Sequence, residues 1–547
     1  MQQRLQYYCG FFSKLKMPDF FCFYPLYRYG ILPHMIRDIS PIDHILRKRA
    51  ALTPRATFIK FEGTKFSYSD MDRMATVFAA QLIHRGMKKG DRVALLCQNC
   101  PHYIAAYFGI IRGGGIVLPL NNLLTHTEID YILYDADARI CIYDVNSMDT
   151  VQKLARANRR LFLALSELVQ ADVPGVGADD ISSHHTADDV STILYTSGTT
   201  GRPKGALLTH RNIVSNAMAA IEVIRVTHKD RFIVFLPLFH SFTFTVCVII
   251  PLLTGAMITL LPSVRPFSRV IKSLITDRIT LFVAIPTVYK ILVEKKIPFL
   301  VKLLLGLRLC VSGAAPIPVS VIHKFERSFK IPLLEGYGLT EAAPVVSINP
   351  LEKKRRKPGT VGIPLPGIEV KVVDDCGCPV PHGIPGELIV KGPNVMRGYL
   401  NKPEDTAKTI RDGWLYTGDV AVLEETGYIK IIDRKKDMII VDGLNVYPYE
   451  VEEVLCLHKD VKDCSMIGVP HEHEEGKELA IMYVVLNEGA HVTAKGLREY
   501  LSEHVAHFKI PRRFIFTDDL PRTATGKIMK KELRKLYRNK EISNPKM

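Results

Sequence analysis

The chain has 547 residues, several times the usual domain length of roughly 100 to 150 residues, so at least two domains are expected and a small binding module is excluded. Hydrophobic residues make up 47% and charged residues 23%, with 36 Gly and 33 Pro, an ordinary globular balance that excludes disordered, collagen-like and low-complexity classes. The 72 basic side chains outnumber the 56 acidic ones, and the excess lies at the ends: residues 1–60 carry 10 basic and 3 acidic groups, and residues 501–547 carry 12 and 5. Such charge suits a phosphate-bearing partner, whether nucleotide, coenzyme, anionic membrane or nucleic acid, and does not choose among them.

The first 17 residues lack the apolar run of a signal peptide. Ten Phe or Tyr fall within the first 30 residues beside Arg4, Lys14, Lys16 and Arg28. That mixture suits peripheral contact with a bilayer headgroup layer, and equally a segment packed on the body. From residue 57, TFIKFEG reads as a strand, followed by a helix capped by Ser69 and stopped at Gly86. Strand 92–97, helix PHYIAAYFGIIRGG, strand 116–120, helix TEIDYILYDADA and strand 139–144 then alternate as βαβαβ, which predicts parallel sheet flanked by helices. Residues 232–264 contain no Asp, Glu, Lys or Arg, long enough for a membrane span. Pro237, His240, Pro251 and Gly255 interrupt them, so they read as buried strand, turn and helix. LFVAIP and LRLCVSGAA are apolar strands ending in turn-forming residues, where ligands of such sheets sit. KKRRK at 353–357 reads as an exposed charged loop.

After about residue 360, short strands punctuated by Gly and Pro predict an antiparallel β-rich module. A third block, from about 434, has the pattern of a small α+β domain. The expected division is residues 1–433 and 434–547, with a hinge at 433–437. The fold class is thus α/β, with parallel-sheet subdomains, a β-rich subdomain and a small mobile α+β C-terminal domain. Eleven cysteines without regular spacing fit reduced thiols in a cytoplasmic protein, and the Cys97, Cys100 pair has no second pair at zinc spacing.

The segment YTSGTTGRPKGALLTH, Tyr195 to His210, carries the clearest chemistry. Thr196, Ser197, Thr199 and Thr200 alternate with Gly198 and Gly201, and Lys204 precedes Gly205. Glycines let backbone N–H groups approach phosphate oxygens, hydroxyls add donors and lysine offsets charge, so this loop suits a polyphosphate. Its spacing differs from that of the P-loop NTPases.

Seven further blocks follow in order: PLFH (237–240), VSGAAP (311–316), EGYGLTEA (335–342), GELIVKGPNVMRGYL (386–400), YTGD (416–419), DRKKDMIIVDGLNVYPYEVE (433–452) and PRTATGKI (521–528). Together they resemble the adenylate-forming superfamily of acyl- and aryl-CoA synthetases, luciferases and peptide-synthetase adenylation domains, over about residues 40–540. The texture is most similar to bacterial long-chain fatty acid–CoA ligases. The resemblance implies that a carboxylate attacks the α-phosphate of ATP to give an acyl-adenylate and pyrophosphate, and that coenzyme A then takes the acyl group and releases AMP. It implies Mg²⁺ held by Glu341 and Thr196, with Thr340 at the α-phosphate. Asp419 and Arg434 would bind ribose, Tyr337 and the Gly313, Ala314, Ala315 backbone would flank adenine, and Glu335 would lie near its amino group, with Gly336 and Gly338 in the same turn. Lys527 would bridge carboxylate and α-phosphate in the first step only, and His240 would border the carboxylate channel. The C-terminal domain would then swivel about Lys436, bringing Gly443 and Leu444 in place of Lys527.

By the same resemblance Phe242, Phe244, Val246, Ala343, Pro344 and Val345 line the acyl pocket. HSFTFTVCVIIPLL has no charge to pair with a substrate ammonium, which argues against amino acids. A fatty acid fits best, aromatic acids stay open, and a carrier-protein thiol is the alternative acceptor. A nucleic-acid reading fails because the charge lies at the two ends while the central motifs are phosphate loops.

Overall fold

A computed structural model describes residues 39–155, 160–170, 181, 185–196, 202–295, 302, 304–441, 444–470, 478–523 and 526–543. The expected aromatic and basic N-terminal segment lies outside them. Two large sheets organise the N-terminal domain. In one, of nine strands, Leu333–Gly338, Leu309–Ser312, Leu281–Ala284, Arg231–Val234, Met257–Leu260 and Thr57–Phe61 run parallel in that order. The runs LFVA and LCVS are buried at every residue, as strands covered on both faces require. Their carboxyl ends lead into Ile285–Thr287 and Gly313–Ala315, and Leu333–Gly338 into the 3₁₀ turn Thr340–Ala342. Ligand-binding crevices of such sheets form at these ends.

The second sheet has seven strands, and its core, Ile116–Pro119, Arg92–Leu96, Ile140–Tyr143 and Leu161–Ala164, is parallel as the βαβαβ pattern predicts. The putting-on of the first helix differs from expectation: Tyr68–His84 is capped by Ser67, with Asp70 returning the bond to the Ser67 N–H at 2.9 Å. Ser67 wins because Asp70 stands three residues on and completes a capping box, whereas Ser69 already lies in the first turn. Residues 232–264 form the strand Arg231–Val234, helical turns from Ser241 to Thr254 and the strand Met257–Leu260. Among the described residues no helix is long and apolar enough to cross a membrane.

Glu369–Val373, Gly386–Lys391, Ile410–Arg411, Trp414–Leu423 and Ile429–Arg434 form an antiparallel five-stranded sheet, the expected β-rich module. The 3₁₀ turn Lys435–Asp437 follows. In the C-terminal domain Val461–Pro470, Glu478–Leu486 and Arg513–Phe516 make one sheet. Alternation sends Cys464, Met466, Met482 and Val484 to the face covered by Pro448–Leu455 and Ala494–Ser502. It sends Ile467, Val469, Ile481 and Tyr483 to the face covered by Lys530–Ser543.

Arg112 is the one large cation fully buried among the described residues. Its guanidinium donates to Asp43 Oδ1 at 2.7 Å, Asp72 Oδ1 at 2.6 Å and Thr76 Oγ1 at 2.5 Å, joining the helices Ile42–Leu52, Tyr68–His84 and Pro101–Arg112. Arg112→Ala takes from the buried Asp43 its closest partner and leaves it only the longer pair with Arg47 at 3.4 Å. We expect it to lower the stability of the N-terminal domain by about 3–5 kcal/mol, read as an earlier first transition in urea.

Candidate active site

One cavity of about 2630 Å³ opens between the carboxyl ends of the nine-stranded sheet, the β-rich module and the C-terminal domain. Single-ligand pockets usually span about 300–1,000 Å³, so this one has room for several substrates. Thr196, Lys204, His240, Phe242, Val246, Gly313, Ala314, Ala315, Glu335, Gly336, Tyr337, Gly338, Thr340, Glu341, Pro344, Val345, Asp419, Arg434, Lys436 and Lys527 all line it. Ser197, Gly198, Thr199, Thr200, Gly201 and Gly443 lie outside the described residues.

Two expected residues stand elsewhere. Phe244 is buried with its ring 3.9 Å from that of Tyr107, and Ala343 is fully buried; both belong to the core and not to the cavity wall. The helical turn that points Phe242 and Val246 at the cavity turns Phe244 away from it. Leu444 sits on the hairpin Ile439–Val441, Leu444–Val446, with 49% of its surface exposed and off the cavity.

Asp419 and Arg434 are paired in register across adjacent strands, and Arg434 Nε lies 3.1 Å from Asp419 Oδ1. Tyr337 donates its hydroxyl to Asp419 Oδ2 at 2.5 Å. Burial and the Asp419 charge push the Tyr337 pKa up, so the hydroxyl remains a donor. Lys527 reaches the same corner on a turn whose Gly526 has φ +79°. A Cβ at Gly526 would stand 3.0 Å from Ile285 Cδ1 and from Thr287 Oγ1, so the turn is docked on the N-terminal domain. The Lys527 side chain opens onto the cavity, and protein groups crowd it. Lys527 keeps an exposed surface, and the crowding of protein groups around it, with Arg434, lowers its pKa to about 8 against the opposing pull of Asp419 and Asp437.

Glu335 is buried and accepts the Ile317 N–H at 3.1 Å; burial raises its pKa to about 8. His240 accepts the Phe242 N–H on Nδ1 at 3.4 Å, which leaves the ring proton on Nε2, and burial lowers its pKa to about 4. It is therefore a neutral group at the apolar end. Phe242 packs over Gly313, where a Cβ would stand 2.8 Å from the ring. Ala220, Ile224, Val311 and Ile348 extend the apolar wall beyond Phe242 and Val246, residues on three different elements that no local pattern singled out.

Glu341 Oε1 accepts the Thr196 hydroxyl at 3.3 Å and the Tyr399 hydroxyl at 2.9 Å. Tyr399 is a site residue the sequence reading missed, although it stands in the MRGYL block. Among the described residues there is no group of three or more His, Cys, Asp or Glu that could hold a metal ion. A cation at Glu341 and Thr196 would therefore draw its other ligands from phosphate oxygens and water, the habit of Mg²⁺. Lys204 is held apart from them by Asp405 at 3.0 Å, with its ammonium 5.4 Å from the Tyr399 ring centre.

At the boundary, Lys435 pairs with Asp375 at 2.8 Å and Glu387 at 3.1 Å, both in the β-rich module, while Asp437 pairs with Arg534 of the C-terminal domain at 3.0 Å. Lys436 stands between a residue fastened to one domain and a residue fastened to the other.

The sequence model of AMP-binding enzymes matches residues 46–400, and that of the AMP-binding enzyme C-terminal domain matches residues 450–527. The chain belongs to this family. It is 34% identical over 533 residues to a Long-chain-fatty-acid–CoA ligase of Bacillus subtilis (strain 168), covering 90% of this chain and 94% of that one. It is 36% identical over 494 residues to a Feruloyl-CoA synthase of an Amycolatopsis sp, covering 90% and 98%. ATP-bound MatB from Rhodopseudomonas palustris superimposes with a TM-score of 0.84 at 32% identity, over 91% of this chain and 99% of that one. The apo form of the same protein gives 0.73. As an AMP-binding enzyme the chain is an adenylate-forming acid–CoA ligase, with ATP and coenzyme A as co-substrates.

For this AMP-binding enzyme, Lys527 loses its positive charge as pH rises through about 8. The kcat/KM for ATP reports the free enzyme and is expected to fall above that pH. Lys527→Arg should move the fall upward; because Glu335 titrates in the same range, an unmoved profile would assign the fall to Glu335.

Proposed function

We propose that the chain activates a long-chain fatty acid as its acyl-adenylate and transfers the acyl group to coenzyme A. The observation that carries this reading is the set of apolar lining residues, Phe242, Val246, Ala220, Ile224, Val345 and Ile348, in the same cavity as Lys527 and Asp419. Each methylene buried there contributes about 0.8 kcal/mol. The B. subtilis relative, named for long-chain fatty acids, supports the same substrate class.

In the first step a carboxylate oxygen attacks the α-phosphorus of ATP, and the bond to pyrophosphate breaks. Both reactants are anions, so preorganised donors do most of the work, about 2.7–4 kcal/mol for each well-placed one. Lys527 supplies the ammonium between carboxylate and phosphate, and Thr340 donates to the phosphate. Asp419 accepts from the ribose hydroxyls, a role open to an acceptor-only carboxylate, and Arg434 holds it in place. Glu341 and Thr196 would hold Mg²⁺, which would neutralise phosphate charge when bound.

In the second step the thiol of coenzyme A attacks the acyl carbonyl, and AMP leaves. The pantetheine arm needs the space Lys527 occupies, so the C-terminal domain must turn. The opposed anchors of Lys435 and Asp437 support a pivot at Lys436, and the exposed hairpin bearing Leu444 is the segment left to enter. The nearer likeness to ATP-bound MatB supports the present arrangement as that of the first step.

A pyrophosphate-release screen over acids of graded length tests the substrate. Long-chain acids should give the highest kcat/KM. Val246→Trp should shift the optimum to shorter chains, at about fourfold per methylene excluded. A preference for ferulate, the substrate class named for the Amycolatopsis relative, or an acyl acceptor confined to a carrier-protein thiol, would overturn the reading.

A further inference from the structure

Two thiols of the C-terminal domain stand together on the cavity wall. Cys456 is exposed just past the helix Pro448–Leu455, Cys464 is buried on the strand Val461–Pro470, and their Sγ atoms are 3.4 Å apart. Both line the cavity. Cys464 Sγ also donates to the Glu452 carbonyl at 3.5 Å, which fixes its orientation.

The segment between them is mechanically joined to the reaction centre. The Lys462 carbonyl accepts from Lys290 Nζ of the N-terminal domain at 2.7 Å. Asp463 pairs with Arg522, and Arg522 Nη1 donates to the Gly526 carbonyl at 2.6 Å, one residue before Lys527. The path from Cys464 to Lys527 therefore runs through two peptide bonds, one ion pair and one hydrogen bond. No step of the ligase reaction uses either thiol.

We propose that Cys456 and Cys464 are a modification site, a dithiol that exchanges with a low-molecular-weight aliphatic disulfide and, once closed, displaces the Lys527 turn and slows adenylation. The exposed Cys456, as thiolate, attacks one sulfur of the disulfide; that S–S bond breaks and one small thiolate leaves, taking a proton from water. Cys464 then attacks Cys456 Sγ in the mixed disulfide, gives its proton to solvent and expels the second small thiolate, which is protonated in turn. Two protein thiols are oxidised, and one small disulfide is reduced to two thiols.

The bond to Cys456 and burial hold the Cys464 pKa well above that of an ordinary thiol. Cys456 is accordingly the attacking group and Cys464 the resolving one. An S–S bond of about 2.05 Å draws the sulfurs in from 3.4 Å, and the start of the strand carrying Asp463 moves with them.

The test treats the full-length enzyme with oxidised glutathione, then maps disulfides by peptide mass and measures acid-dependent exchange of labelled pyrophosphate into ATP. The expected product has a Cys456–Cys464 disulfide without retained glutathione and exchanges at least about tenfold more slowly. Dithiothreitol restores the rate, and Cys456→Ser, a surface change, abolishes both effects. Stable glutathione on Cys456, two free thiols after treatment, or a closed disulfide with unchanged exchange would each overturn the proposal. The kinetic arm rests on the proposed adenylation; the mass arm does not, so failure of one is distinguishable from failure of the other.

Discussion

A buried carboxylate is tolerated when it is paired and hydrogen-bonded, and Asp419 shows how much of this molecule is arranged to meet that demand. Its partner Arg434 is its register neighbour on the adjacent strand, and its hydrogen-bond donor Tyr337 comes from the end of the nine-stranded sheet. One residue past Arg434 the chain leaves the β-rich module. The same carboxylate therefore joins the two parts of the N-terminal domain, fixes the last strand before the boundary and, against burial and Arg434, adds to the field in which Lys527 titrates.

The boundary is organised by a second set of charges. Asp433 accepts the Arg434 N–H and, at 2.7 Å, the N–H of Tyr449 in the helix Pro448–Leu455. Lys530 reaches Glu452 at 3.0 Å and stands near Asp433 and Asp437. Lys530, Glu452 and Asp437 lie beyond Lys436, whereas Asp433 and Lys435 belong to the β-rich module, so the Asp433–Tyr449 bond crosses the boundary. A rotation at Lys436 would leave the Lys435 pairs and the Lys530–Glu452 pair intact and would part Asp433 from Tyr449. Its cost falls on contacts across the boundary, among them the part-buried Asp433 with Tyr449 and the exposed Lys290 with Lys462.

The parts of the fold that could be read from sequence are those with a strong local signature. Apolar runs of four residues ending in Gly or Pro, alternating with amphipathic helices, gave the parallel sheets; Gly and Pro punctuation gave the antiparallel module. The site motifs were legible because they are contiguous blocks, on strands as YTGD or at strand ends and turns as VSGAAP, that converge on one cavity. What escaped depends on distances between residues far apart in the chain. Tyr399 meets Glu341, and Asp405 meets Lys204, only because Gly398–Tyr399 pairs with Lys204–Thr209 at the sheet edge. Phe244 reads like Phe242 in sequence, and only the helical turn sends one to Tyr107 and the other to Gly313. Arg112 carries no mark in its own apolar helix of the acids from two other helices that neutralise it.

The central claim is that one cavity serves two reactions, with Lys527 needed in the first and absent from the second. The most direct measurement compares the two half-reactions in Lys527→Ala. Adenylate formation from acid and ATP should fall by about 10²–10³-fold, the usual cost of one preorganised donor, while thioester synthesis from preformed acyl-AMP and coenzyme A keeps the parent rate. Equal losses in both half-reactions would contradict the account.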